Sequence, residues 1–268
     1  MSAESHRPAD DEVLRPGATT SATTSRAGQS EQRVAVVIPA KDEQQRIAAT
    51  VRAARAIPHV DVVLVVDDGS DDDTQHAARA AGAVVVRHSV NRGKASAMET
   101  GAAVVAMRDA PEAAPRLLLF VDADLGDTAV NAAPLVPPVL AGKADCSIAV
   151  LPAQAGAAGR GLVTGLSRRA IQRATGWDPK APLTGQRCLT RAALDAATPQ
   201  ARGWGVETGM TLDLLTHAFA VVEVQCDLRH RASGKDRRGQ PHRARQYRDV
   251  PIAVRARRLR RLSRRGRA

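Results

Sequence analysis

Aromatic residues and cysteines are both scarce in this chain, and each scarcity excludes a class of protein. Only 2% of the 268 residues are aromatic although 44% are apolar, so Ala, Val and Leu must build the core. So few rings argue against a single-strand nucleic-acid binder, which needs aromatic platforms for base stacking. Cys146, Cys188 and Cys226 are odd in number and show no CxxC spacing. That pattern favours a reducing compartment and argues against a zinc or disulfide framework.

Long apolar runs are lacking as well. No stretch approaches the roughly 18 apolar residues of a membrane-spanning helix, and the N-terminus has no apolar signal core. We therefore expect a cytoplasmic protein.

The net charge of +11 belongs to the end of the chain. Residues 229–268 carry sixteen Lys and Arg and a net charge of +14, which leaves −3 for residues 1–228. Such a tail is typical of a solvated terminus, of peripheral contact with an anionic inner membrane face, or of nucleic-acid binding by counterion release. The chemistry of the body must therefore be sought in residues 1–228.

The chain divides into a leader, one domain and a tail. Residues 1–32 are rich in Ser, Thr, Ala, Gly and charge and have no periodicity, which predicts a disordered leader. Over residues 33–230, short Val-rich strands alternate with helices, which indicates parallel β-α units in a single α/β domain. The basic tail follows at 231–268. The predicted strands are Val34–Ile38, Val60–Val66, Ala83–Val86, Leu117–Val121, Cys146–Val150 and Ala220–Val224.

Polar clusters follow each of the first four predicted strands. Ligands of open parallel sheets bind beyond the carboxyl ends of the strands, where these loops gather. One such cluster is an ordinary turn, but four at one edge indicate a ligand site. The clusters are Pro39-Ala-Lys-Asp-Glu43, Asp67-Asp-Gly-Ser70, Asn91-Arg-Gly-Lys94 and Asp122-Ala-Asp124.

Asp122 and Asp124 are two residues apart, so both carboxylates can point to the same side of the chain. Two carboxylates 4 Å apart repel by about 4 kcal/mol at an effective dielectric of about 20, and a hard cation such as Mg²⁺ or Mn²⁺ relieves that repulsion. A metal bridging Asp124 to a diphosphate, with Lys94 and Arg92 beside it, makes a coherent site. The chain has no GxxxxGK[ST] loop and no GxGxxG after the first strand, which disfavours P-loop kinases and dinucleotide dehydrogenases.

These motifs resemble the nucleotide-sugar glycosyltransferases of family 2, which have the GT-A fold, and are most similar to those of bacterial glucosyl-3-phosphoglycerate synthases. The resemblance covers roughly Val34–Asp249 and implies a Rossmann-like, mostly parallel sheet flanked by helices. It rests on Val37-Ile-Pro-Ala-Lys-Asp-Glu43, Val66-Asp-Asp-Gly-Ser70 followed by Asp73-Thr74, Gly93-Lys94, Phe120-Val-Asp-Ala-Asp-Leu125 and Gly203-Trp-Gly-Val-Glu-Thr-Gly209.

The resemblance also implies roles for residues at the matching positions. Asp124 and His230 would hold the metal. Pro39, Glu43 and Asp68 would hold the nucleoside of the donor. Lys94 would lie at its base or ribose, and Asp122 would touch the ribose.

The acceptor side is less closely defined. Glu207 is an acceptor-binding group, a general base, or simply an acidic residue that the dipole favours near a helix N-terminus. An inverting transfer would need a base such as Glu207 or Asp213. Gly185, Arg187 and Trp204 are the other acceptor candidates, with the Trp204 ring available for stacking on a sugar. Gln186 is neutral where the synthases carry an acidic residue after a Gly-Gly pair, so the sequence leaves the acceptor open.

We therefore expect a metal-dependent glycosyltransferase that moves a hexose from a nucleoside diphosphate sugar, such as UDP-glucose, to an acceptor. A phosphorylated small molecule or a polyprenyl phosphate would suit Arg168, Arg169 and Arg187, the arginines expected around the acceptor. One alternative is a sugar-1-phosphate nucleotidyltransferase, although the first strand is not followed by the GxGxRxxP loop of that class. The other is a non-enzymatic protein that binds nucleic acid or a membrane through its tail.

Overall fold

The computed structural model describes residues 32–152, 161–198, 200–201, 205–230 and 252. The predictions for the leader up to residue 31, for Trp204 and for the basic tail lie outside the described residues, apart from the single residue Ile252.

A seven-stranded sheet forms the centre of the protein, in the order β3-β2-β1-β4-β6-β5-β7. All neighbouring strands are parallel except β6, which runs antiparallel to β4 and to β5. The mostly parallel α/β fold is thus confirmed, and the six predicted strands are present with ends shifted by no more than two residues. The strands are β1 Val34–Ala40, β2 Val60–Asp67, β3 Val84–Arg87, β4 Leu117–Phe120, β5 Cys146–Val150, β6 Arg187–Leu189 and β7 Val221–Gln225.

Helices cover both faces of the sheet. They are α1 Ile47–Arg55, α2 Thr74–Ala80, α3 Lys94–Ala106, the 3-10 helix η1 Gly126–Leu135, α4 Val136–Leu140, α5 Gly161–Thr175, α6 Arg191–Ala196 and α7 Val206–Thr216. One apolar cluster packs α1 and η1 on the sheet, and a second packs α3, α5 and α7 on the opposite face. Among the described residues, no helix is long and apolar enough to cross a membrane.

The sequence did not predict β6, whose position matters most for the site. Three residues are too few for a visible alternation, and a strand of this length depends on its neighbours rather than on its own propensity. Because β6 is antiparallel to β4, its first residue, Arg187, pairs with Phe120, the last residue of β4. The loop that enters β6 therefore meets the carboxyl end of β4, where Asp122 and Asp124 follow.

Candidate functional site

Asp122 is the centre of a charged cluster at this edge of the sheet. Its Oδ1 lies 2.8 Å from Lys94 Nζ, and its Oδ2 accepts a hydrogen bond of 2.6 Å from Gln186 Nε2. The same Lys94 ammonium lies 3.1 Å from Glu207 Oε1. Lys94 is the first residue of α3 and Glu207 the second of α7, so two helices and the loop before β6 converge on one carboxylate.

The charges in this cluster stabilise one another. Burial by itself would raise the pKa of the Asp122 carboxyl, but Lys94, His230 and the hydrogen bond from Gln186 hold that pKa below its ordinary value. Burial would likewise lower the pKa of Lys94, yet Asp122 and Glu207 raise it above its ordinary value. An ionised Asp122 also fixes the orientation of the Gln186 amide, because only the NH₂ end can face a carboxylate.

Asp124 and His230 form a second pair beside the cluster. Asp124 Oδ1 lies 2.9 Å from His230 Nδ1, and both side chains are partly buried. Adjacent ligands of an octahedral Mg²⁺ or Mn²⁺, with bonds of about 2.1 Å, lie about 3 Å apart, so this spacing fits two ligands of one cation. In the part of the chain that the structure describes, no group of three His, Cys, Asp or Glu side chains converges on a metal site. The remaining positions would therefore fall to a bound ligand and water, as is usual for Mg²⁺.

The backbone that carries Asp124 is held by α1. Thr50 Oγ1 donates to the Ala123 carbonyl at 2.8 Å and accepts from Gly126 N–H at 2.8 Å. Arg46 Nη1 donates to the Asp124 carbonyl at 3.1 Å. A turn tied at three points keeps Asp124 in a fixed direction before any ligand arrives.

His230 is brought to Asp124 by the segment that follows β7. Asn131 Nδ2 donates to the Asp227 carbonyl at 2.8 Å, and Arg229 N–H donates to Thr128 Oγ1 at 3.2 Å. Burial would lower the pKa of the His230 imidazole, but the hydrogen bond with Asp124 and the charge of Asp122 raise it above its ordinary value. Thr128 and Asn131 of η1 thus position a residue about a hundred positions along the chain.

The loops after β1 and β2 are joined to each other by hydrogen bonds. Asp42 N–H donates to Ser70 Oγ at 3.0 Å, and Glu43 N–H donates to Thr74 Oγ1 at 2.8 Å. Pro39 lies directly upstream, paired with Val66 of β2. The structure therefore brings Pro39 and Glu43 to one edge, as the resemblance implies, and their contact with a nucleoside stays a prediction.

Asp68 is buried, and other parts of the protein occupy both of its carboxylate oxygens. Oδ1 accepts from Arg92 N–H at 2.8 Å and lies 2.7 Å from His88 Nδ1, while Oδ2 accepts from Gly93 N–H at 2.7 Å. Asp68 thus holds the loop that leads into Lys94. The approach of the two loops requires Gly69, where a Cβ would lie 2.9 Å from Asn91 N.

The acceptor candidates separate into two environments. Gly185 lies against Lys94 and Asp122 at the edge of the site. Arg187 has 1% of its surface exposed, donates from Nη2 to the Thr184 carbonyl at 2.6 Å, and has no hydrogen-bond partner for Nη1 among the described residues. Trp204 lies outside the described residues. The arginine expected on the acceptor side is therefore a buried cation.

Several residues of the site could not be found by sequence reasoning. Gln186 differs from the synthase pattern, and nothing in the sequence indicates that it bonds Asp122. His88 and Thr50 carried no signal, because a lone His and a helical Thr are ordinary residues. Their roles depend on contacts with Asp68 and Ala123 that no sequence spacing encodes.

Comparisons with known proteins agree with this architecture. Residues 35–181, more than half of the chain, match the family described as glycosyl transferase family 2. The glucosyl-3-phosphoglycerate synthase of Mycolicibacterium paratuberculosis is 30% identical over 210 residues, which cover 70% of this chain and 61% of the relative. The chain thus spans less than two thirds of that relative's length.

Solved structures of the Mycobacterium tuberculosis glucosyl-3-phosphoglycerate synthase are also similar. Its complex with Mg²⁺ and UDP has a TM-score of 0.67 at 26% identity, over 84% of this chain and 79% of that one. Its complex with Mn²⁺, UDP-glucose and phosphoglyceric acid has a TM-score of 0.67 at 25% identity, over 84% and 81%. With the family match and the shared sheet, the chain belongs to glycosyl transferase family 2.

Proposed function

We propose that this protein transfers a hexose from a nucleoside diphosphate sugar, such as UDP-glucose, to an anionic acceptor, with Mg²⁺ or Mn²⁺ as cofactor. The observation that carries the proposal is the convergence of Lys94, Asp122, Asp124 and His230 at the strand edge that also holds the loops after β1 and β2. Family membership supports the reaction class, and the ligands named for the M. tuberculosis structures support the donor and the metal.

In this proposal Asp124 and His230 hold the cation. Bound there, it would neutralise charge that develops on the leaving diphosphate, an effect of several kcal/mol in metal sites of this kind. Pro39, Glu43 and Asp68 form the nucleoside side, where Asp68 acts by holding the loop into Lys94. The Lys94 ammonium adds positive charge next to the metal pair.

Asp122 and Glu207 are proposed to face the sugar and ribose hydroxyls, since carboxylates accept hydrogen bonds from hydroxyl groups. Glu207 lies 3.1 Å from the Lys94 ammonium, which favours an orienting role over that of a general base. NMR of the product anomer tests this: retention of configuration removes the need for a base, whereas inversion returns Glu207 to that role.

Arg187 is proposed to bind the anionic group of the acceptor. A buried guanidinium with an unpaired Nη1 is costly, and a phosphate or carboxylate would give it the partner that the described residues do not supply. The phosphoglyceric acid named for the M. tuberculosis structure is one acid of this class. The neutral Gln186 leaves the choice among phosphorylated small molecules and polyprenyl phosphates to experiment.

A thermal-shift screen of nucleotide sugars with and without Mn²⁺ tests the proposal. We expect one donor to raise the Tm only when Mn²⁺ is present, because ligand that binds only the folded state stabilises it. The shift should disappear in Asp124→Ala and persist in the control Asp127→Ala, whose side chain is exposed. No donor-dependent shift in the wild type would contradict the proposal.

Product analysis distinguishes glycosyl transfer from nucleotidyl transfer. Incubated with UDP-glucose and Mn²⁺ alone, a glycosyltransferase slowly releases UDP by hydrolysis. A sugar-1-phosphate nucleotidyltransferase would instead need pyrophosphate and would form UTP. Release of UDP without pyrophosphate supports the proposal, and formation of UTP and glucose 1-phosphate once pyrophosphate is added would favour the alternative.

A further inference from the structure

Gly185 lies where a side chain would collide with the Lys94 ammonium. A Cβ built on Gly185 would stand 2.4 Å from Lys94 Nζ and 3.2 Å from Asp122 Oδ1. The backbone of Gly185 is not in the left-handed region that favours glycine, since its φ lies outside the range from +20° to +160°. A side chain at this position would therefore disturb Lys94 rather than strain the backbone.

Lys94 and Asp122, the two side chains beside that space, differ in how far they can move. Lys94 Nζ ends a flexible chain of four methylenes and can be displaced at little cost. Asp122 cannot follow it, because its Oδ2 is held by Gln186 Nε2 at 2.6 Å. A methyl group at position 185 would push the ammonium away, whereas the Asp122 carboxylate, 3.2 Å from the same Cβ position, would have to move by only a few tenths of an ångström.

We propose that Gly185 is a positioning residue for Lys94: the side chain it lacks leaves the space in which one ammonium bridges Asp122 and Glu207. This is a different role from the acceptor contact predicted for Gly185 from the sequence. The bridge itself is a property of the unliganded protein, and only its effect on sugar transfer rests on the proposed function.

The bridge can be tested without any substrate. An ammonium held by two carboxylates acylates slowly, so we would measure the labelling of Lys94 by an amine-reactive acetylating reagent, using peptide mass spectrometry. The exposed Lys143 serves as the internal reference. Gly185→Ala should raise the rate at Lys94 about tenfold relative to Lys143, the size expected from the loss of one charge-assisted hydrogen bond.

The matched control is Gly165→Ala on α5, where a Cβ would meet nothing closer than Arg169 Nη2 at 3.9 Å. It should leave the labelling of Lys94 unchanged. An unchanged rate in Gly185→Ala would overturn the proposal. If Gly185→Ala folds poorly, its effect on the Tm is compared in two backgrounds: Gly185→Ala should lower the Tm of the wild type but change that of Lys94→Ala little, because the colliding side chain is then absent. An equal loss of Tm in both backgrounds would also overturn the proposal.

A double-mutant cycle connects the bridge to transfer. If Gly185 acts through Lys94, then Gly185→Ala should lower kcat about tenfold in the wild type but have little effect in Lys94→Ala. Independent, additive losses would contradict the proposal. Faster labelling of Lys94 with no transfer activity in any variant would instead leave the positioning role standing and refute the proposed function.

Discussion

The proposed donor side and the proposed acceptor side of this edge differ in how their buried polar groups are paired. The donor side comprises the loops after β1, β2 and β3, and the acceptor side comprises the loop before β6 together with Arg187. On the donor side, both carboxylate oxygens of Asp68 are occupied: they accept hydrogen bonds from the N–H groups of Arg92 and Gly93, and one of them also pairs with His88. On the acceptor side, Gln186 Oε1 and Arg187 Nη1 are buried and find no hydrogen-bond partner in the described part of the chain. Asp124, after β4, and His230, after β7, meet between the two.

The difference has an energetic meaning. A buried polar group without a partner costs about 1–3 kcal/mol, and more if it is charged. The donor side also has a buried oxygen without a hydrogen bond, Asp67 Oδ2, but this oxygen is ion-paired with Arg87 Nη1 at 3.4 Å. The donor side is therefore organised before a ligand arrives, whereas the acceptor side holds groups that a ligand would satisfy. Replacing a paired group of the donor side should therefore reduce stability, whereas replacing an unpaired group of the acceptor side should not.

The largest effect is expected where the two sides meet. Asp124→Ala removes a metal-holding carboxylate and should lower transfer about 10²–10³-fold, because charge on the leaving group then lacks its stabilising partner. Steady-state rates at saturating Mn²⁺ measure this. Asp127→Ala, an exposed carboxylate three residues further on, should stay near wild-type activity. An Asp124→Ala enzyme within a few-fold of wild type would remove Asp124 from the metal site.

The next effect concerns the preorganised donor side. Asp68→Asn keeps the shape but turns an NH₂ group towards backbone N–H donors, so we expect the free energy of unfolding to fall by about 1–3 kcal/mol. Donor affinity should fall with it, because the loop into Lys94 loses its anchor. Urea unfolding and nucleotide titration measure the two quantities.

The control for Asp68→Asn is Asp195→Asn, an exposed carboxylate on α6. It should alter neither quantity. Weaker donor binding with unchanged stability would mean that Asp68 contacts the nucleoside directly, as the resemblance implies.

The sequence located the residues of the proposed donor side more readily than those of the proposed acceptor side, for a physical reason. The strands β1, β2 and β4 are buried Val-rich and Leu-rich runs whose ends are marked by polar clusters, so Asp122 and Asp124 were located by their position after an apolar strand. The loop before β6 has no such marker. Its roles arise because an antiparallel strand brings Gly185 and Gln186 against Asp122, and this pairing is a long-range contact.

A smaller effect is expected from replacing Arg187, which should not reduce stability but should weaken acceptor binding. Arg187→Met replaces a buried, incompletely paired cation by an apolar chain of similar length, so stability should stay the same or rise by about 1–3 kcal/mol. The acceptor KM should rise at least tenfold while the donor KM changes little, because the anion loses its partner. Kinetics with each substrate varied in turn measure the split.

Arg168→Met is the matched control for Arg187→Met, since Arg168 is an exposed arginine that pairs with Asp178. Neither stability nor the acceptor KM should change appreciably. A marked loss of stability in Arg187→Met would assign Arg187 to the fold rather than to the acceptor.

The smallest effect concerns the three cysteines and tests whether reagent can enter the protein around β5, β6 and β7. All three are buried, on β5, on β6 and directly after β7. Burial raises the pKa of Cys146 and of Cys226 to about 11. Only the thiolate reacts, so a raised pKa and exclusion of reagent should both keep the native protein inert to a thiol reagent such as DTNB at pH 8. Denaturation should then release three reactive thiols. Rapid reaction of one thiol in the native state would indicate that β5, β6 and β7 open locally. Water admitted by that opening, rather than a ligand, would then supply the hydrogen bonds that Gln186 Oε1 and Arg187 Nη1 lack.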